Sequence, residues 1–87
     1  MINLAVAGSD VSDTQVREWV AAGKMMSFAD IYSLNQSRLA GRLLDLEVEE
    51  EDHRLIYEIE VLGADGEVRE FHIDAENGRV LKEERDD

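Results

Sequence analysis

The chain has no cysteine and no proline, only two histidines, and nine basic residues against 21 acidic ones. Without cysteine there is no disulfide, thiol nucleophile or thiolate metal site, and the redox state of the compartment leaves no trace. Two histidines far apart in sequence do not supply the close-spaced ligands from which zinc sites are built. A formal net charge of −12 opposes nucleic acid and anionic lipid as partners, because phosphate would meet like charge with no counterions to release. No apolar run approaches the roughly 18 residues of a membrane span. The missing proline has the opposite sense: it leaves every strand free to hydrogen-bond.

What the chain does have is alternation. From Gly41 to Lys82, strand-like runs are separated by Asp65-Gly66 and Asn77-Gly78, dipeptides that supply the positive φ of tight hairpins, so an antiparallel meander is expected. In the first strand, Arg42–Glu49, Leu44, Leu46 and Val48 share one face while Asp45, Glu47 and Glu49 share the other. The second sets Leu55, Tyr57, Ile59 and Val61 against Glu58 and Glu60. The third puts Phe71, Ile73 and Ala75 inward and Glu70, His72 and Asp74 outward, and residues 79–83 return as a short fourth strand. One face is thus apolar and the other wet and acidic.

Two helices precede the sheet. Ser12-Asp13-Thr14-Gln15 has the capping-box form, Val16, Trp19 and Val20 make one apolar stripe, and Gly23 sits where a left-handed cap would end the helix. Ser27 with Asp30 marks a second start, ahead of Phe28, Ile31, Leu34 and Leu39. Gly41 is expected to end that helix, with Arg38 and Arg42 at the negative pole of its dipole. Neither helix is long enough to stand alone, so each must dock on the apolar sheet face. The fold class is α+β, in the order α-α-β-β-β-β, with both helices on one face of a four-stranded antiparallel meander. Residues 1–10 are expected as a flexible tail and 11–87 as a single domain. Met1–Gly8 is too short for a complete secretory signal, although Ala5-Val6-Ala7 has the small-x-small form of a cleavage site; a truncated signal and a simple tail both fit.

The ordered set Gly41-Arg42-Leu43-Leu44, Tyr57-Glu58-Ile59-Glu60-Val61 and Phe71-His72-Ile73-Asp74-Ala75-Glu76-Asn77-Gly78-Arg79-Val80-Leu81 resembles the PepSY domain family, and the likeness extends back through Ala21-Ala22-Gly23. Met25-Met26 departs from the Pro-Leu type of connection associated with related domains. The resemblance implies helices on one side of an antiparallel sheet. It further implies a small periplasmic or secreted module of bacterial type, similar to units in propeptides of thermolysin-type metalloproteases, which binds a protein and restrains a peptidase.

No residues carry an evident reaction. Ser12 and Ser27 are explained as caps, no serine has a nucleophile-elbow context, and carboxylates on a flat solvated sheet lack the apolar pocket that tunes a general acid. The sequence therefore reads as non-enzymatic, with no catalytic residue, no metal site and no cofactor. Asp74, Asn77 and Gly78 read as turn formers, and Trp19 and Tyr57 as packing residues. The candidate interaction surface is Glu47, Glu49, Glu58, Glu60, Glu70 and His72, because folding alone does not select like charges on adjacent strands. That surface suits a basic protein partner. It equally suits a hard cation in a cation- or ligand-sensing domain, which is the alternative function. Simple solubility explains it as well, and a third reading is a structural domain that dimerises through an edge strand.

Overall fold

Ser12 and Ser27 each start a helix, as their spacing predicts. In the computed structural model, which describes residues 9–86, Ser12 Oγ accepts the Gln15 amide at 3.2 Å and helix α1 runs Asp13–Ala21. The capping box is half formed, since the Gln15 side chain turns forward to Glu18 Oε1 at 3.4 Å. At the other end Lys24 N–H donates to the Trp19 carbonyl and Gly23 N–H to the Val20 carbonyl. This is a Schellman cap, with Gly23 at φ +77° where a side chain would cost roughly 1–2 kcal/mol.

Helix α2 runs Phe28–Leu34, capped by Ser27 Oγ accepting the Asp30 amide at 3.2 Å. It stops well short of the expected Gly41. Asn35 Nδ2 donates to the Ile31 carbonyl at 3.0 Å and to the Gly78 carbonyl at 3.1 Å, closing the last turn and tying it to a distant loop. Arg38 and Arg42 therefore lie beyond the helix and do not act on its dipole.

The strands are β1 (Ser9–Asp10), β2 (Arg42–Glu51), β3 (Arg54–Leu62), β4 (Val68–Asp74) and β5 (Val80–Asp86), antiparallel throughout and ordered as in the sequence. The expected two helices and four-stranded meander are present. A two-residue β1 is added at the outer side of β2, with Ser9 opposite Glu50 and Asp10 opposite Glu49. Ala5-Val6-Ala7 lie outside the described residues. In Asp65-Gly66 and Asn77-Gly78 only the glycine takes positive φ, whereas the β2–β3 hairpin turns on Asp52 and His53, both left-handed at φ 49° and 63°. A Cβ at position 78 would strike Leu34 Cδ2, so the glycine also lets α2 rest against the β4–β5 turn.

The core lies between helices and sheet. Ile31, Leu39, Tyr57, Ile59, Phe71 and Ile73 are all at most 2% exposed, and Val16, Trp19, Val20 and Phe28 pack against them. Tyr57 OH donates to the Met26 carbonyl and Met26 N–H to the Ala75 carbonyl, both at 2.7 Å, pinning the interhelix segment to β3 and to the residue just past β4. The Phe28 and Tyr57 rings meet at 6.2 Å.

Strand β2 departs from simple alternation. Leu43 opposes Val61 and Asp45 opposes Glu60, which leaves Leu44 as the extra residue of a bulge. The residues opposite Tyr57, Ile59 and Val61 are consequently Val48, Leu46 and Leu43, with Leu43 in the place expected for Leu44. Nor is the outer face uniformly wet, for Ile56 and Asp74 on it are buried.

Candidate functional site

The outer face gathers the carboxylates that alternation predicts. Register sets Glu47 opposite Glu58, Glu58 opposite His72, and Glu60 opposite both Asp45 and Glu70. Asp45, Glu47, Glu58, Glu60 and Glu70 line one trough. Glu49 lies opposite Ile56, a step away along β2, and reaches Glu58 diagonally. All six residues of the expected surface thus fall on one patch, and Asp45, not singled out from the sequence, completes it.

Within the patch His72 links two strands. Its Nε2 stands 2.8 Å from Glu70 Oε2 and its Nδ1 3.8 Å from Glu58 Oε2. Ligand atoms of Glu58, Glu70 and His72 lie within 4.8 Å of one another, as do those of Glu47, Glu49 and Glu58. Burial pushes the Glu58 carboxyl up to about 8, aided by its hydrogen bond with Glu49 and by the charges of Glu49, Glu70 and Glu47. The direction of that shift favours the protonated form of Glu58, hydrogen-bonded to Glu49. Chemically, this is a cluster of close carboxylates and an imidazole whose ligand atoms converge as a cation site would need.

Elsewhere charges pair off. Arg69 Nη2 meets Asp65 Oδ2 at 2.8 Å and holds that carboxyl down to about 2, and Arg85 Nε reaches Glu67 Oε1 at 3.0 Å. Asp74 Oδ1 accepts the Glu76 amide at 2.8 Å and Asn77 Oδ1 the Arg79 amide at 2.9 Å, the local turn bonds expected of them.

A second feature was not singled out from the sequence. On the helix side of β2, Leu43 and Leu46 are 47% and 37% exposed, as is Tyr32 at 40%. An apolar groove of about 690 Å³ opens there, its walls formed by Val16 and Val20 of α1, Phe28 of α2, and Leu46, Val48 and Tyr57 of the sheet. A smaller hollow of about 270 Å³ continues past Phe28 and Tyr32 to Leu39 and Leu43. The only sequence signal for it was the mismatch between short helices and a long apolar strand.

A family model described as Peptidase propeptide and YPEB domain, PepSY, matches residues 26–84. The chain belongs to the PepSY family. No curated protein and no solved structure matches it. The PepSY match takes in α2, β2 to β4 and most of β5, while α1, β1 and Ala21-Ala22-Gly23 precede it. The apolar groove therefore straddles the boundary: its sheet wall and Phe28 lie within the PepSY unit, and Val16 and Val20 come from the helix that precedes it. Among the described residues no helix is long and apolar enough to cross a membrane.

Proposed function

We propose that this chain is a non-catalytic, extracytoplasmic protein-binding module that restrains a peptidase. The observation that carries this reading is the PepSY match across residues 26–84, a family described by its peptidase propeptides. Two features of the fold support it. A sheet bearing an uncovered apolar groove offers a partner buried area, and a clustered negative face offers it charge complementarity. Titration of the full chain into thermolysin-type metallopeptidases tests the proposal. Saturable inhibition with the chain left intact is expected, and digestion of the chain without loss of peptidase rate would overturn it. Periplasmic or secreted placement follows from the same reading, and cell fractionation checks it.

The second reading is a cation-sensing domain. It draws on the convergence of Glu58, Glu70 and His72. Calcium and zinc titrations at fixed ionic strength separate the two: a sensor gains saturable thermal stability, whereas the binding module is indifferent.

A further inference from the structure

Among the described residues the edge of β2 beside the apolar groove is open. In its described part, β1 pairs with Glu49 and Glu50, followed by the Val11 N–H donating to the Val48 carbonyl at 2.9 Å. Among the described residues no strand pairs with the outer side of β2 from Arg42 to Leu46. Because Val48 turns its carbonyl to that side, the two-residue period turns the Leu46 amide and carbonyl the same way. The Leu46 side chain, opposite Ile59, stands in the groove wall. One residue thus presents backbone hydrogen-bonding groups to an empty strand position and an apolar side chain to an empty hollow.

We infer that β2 takes up an extended segment of a partner protein by strand addition, and that this segment alternates apolar and basic residues. The inference rests on the protein-binding reading and names the surface and the partner chemistry. A residue opposite Leu46 shares its face and so drops its side chain among Val16, Val20 and Phe28. The groove volume falls within the roughly 300–1,000 Å³ of ligand clefts, so apolar side chains fit. The neighbouring residues of the segment point to the outer face, beside Asp45 and Glu47 and near Glu58 and Glu60. Only positive side chains are favoured there. The same argument disfavours a second copy: pairing β2 with β2 about a two-fold axis sets Asp45 and Glu47 of one chain beside those of the other, between molecules of net charge −12 each.

The experiment uses the full chain, isotope-labelled, and an acetylated eight-residue peptide of alternating lysine and valine. Saturable amide shifts are expected at Leu46, Val16, Val20 and Phe28, with slowed exchange of the Leu46 amide. N-methylation of the peptide at the residue opposite Leu46 should weaken binding at least about tenfold, since it removes backbone hydrogen bonds without altering charge. Leu46→Lys should do likewise, and the N-methyl peptide keeps the test decisive if that variant unfolds. A glutamate-valine peptide should not bind. Three results would overturn the inference: shifts confined to the outer carboxylates with no protection of Leu46, concentration-dependent dimerisation producing the same shifts without peptide, or peptide binding that appears only when residues 1–8 are removed. Peptidase restraint that persists undiminished in a folded Leu46→Lys chain would sink strand addition and leave the protein-binding reading standing. Failure of the parent chain to restrain any metallopeptidase, with Leu46 still protected by the peptide, would do the reverse.

Discussion

Beneath the helices the sheet is closed over β3 and β4 and open over β2. Tyr57, Ile59, Phe71 and Ile73 are at most 2% exposed, while Leu43 and Leu46 on the adjacent strand and the same face are 47% and 37% exposed. Both halves have the same alternation in sequence, so side-chain type does not separate them. Helix length does. The nine residues of α1 span about 13 Å and the seven of α2 about 10 Å, whereas the ten of β2 extend over about 33 Å. The helices are too short to cover all of β2, and the apolar residues they leave bare are the ones a partner can bury.

The sharpest test of this contrast is truncation on either side of it. Phe71→Ala in the closed half should cost about 3–5 kcal/mol, comparable with the whole stability of a domain this size. Leu46→Ala in the open half should cost about 1 kcal/mol, because much of its side chain already meets water. Urea midpoints compare the two. Equal losses would mean that β2 is as well covered as β4 in solution.

Trp19 lies between the halves. It packs against the core yet also borders a polar hollow with Lys24, His53 and Arg54, and it is only partly buried. A loss of about 2 kcal/mol is expected for Trp19→Ala, leaving a variant still folded at room temperature. A smaller effect, about 1 kcal/mol, is expected for Tyr57→Phe, which leaves packing intact and removes the bond to the Met26 carbonyl. Thermal melts rank these two against Phe71→Ala.

Much of this plan was legible in the sequence. Ser12 and Ser27 carry their helix starts in neighbouring residues, and Gly23 is needed where the chain must turn left-handed. The outer carboxylates follow from a period of two. The end of α2 was not legible, because its determinant is a bond from Asn35 to Gly78, 43 residues away. The bulge was hidden by Leu43-Leu44, where either leucine can point inward without disturbing the pattern. The Asp52-His53 turn lacks the glycine that marks such turns, and the tight pairing of Glu51 with Arg54 forces both residues to positive φ. The groove depends on how far helices reach across strands, a tertiary quantity that no local pattern encodes.

The smallest effect concerns the other side of the same two strands. Glu47, Glu49 and Glu58 crowd together where β2 meets β3, with Glu70 and His72 facing Glu58 from β4. Since the Glu58 carboxyl is raised to about 8 in the fold, its contribution to stability is complete below its ordinary range near 4.5. That contribution is lost as pH rises through about 8. Stability should therefore fall between about pH 4.5 and 8, and added salt should lessen the fall. Asp65, lowered to about 2, acts in the opposite sense and only as pH falls through that value, outside this window. His72 faces both Glu58 and Glu70 from β4, so His72→Gln is the control. Glu58→Gln should flatten the slope with His72 in place, and should make the chain more stable than its parent at pH 9. If the open half is also the looser half, the amides of β2 will exchange faster than those of β4 in the parent at pH 8, and Glu58→Gln will narrow that gap. An unchanged slope in Glu58→Gln together with a lost slope in His72→Gln would assign the pH response to the histidine, and the buried, crowded Glu58 carboxyl would no longer account for it.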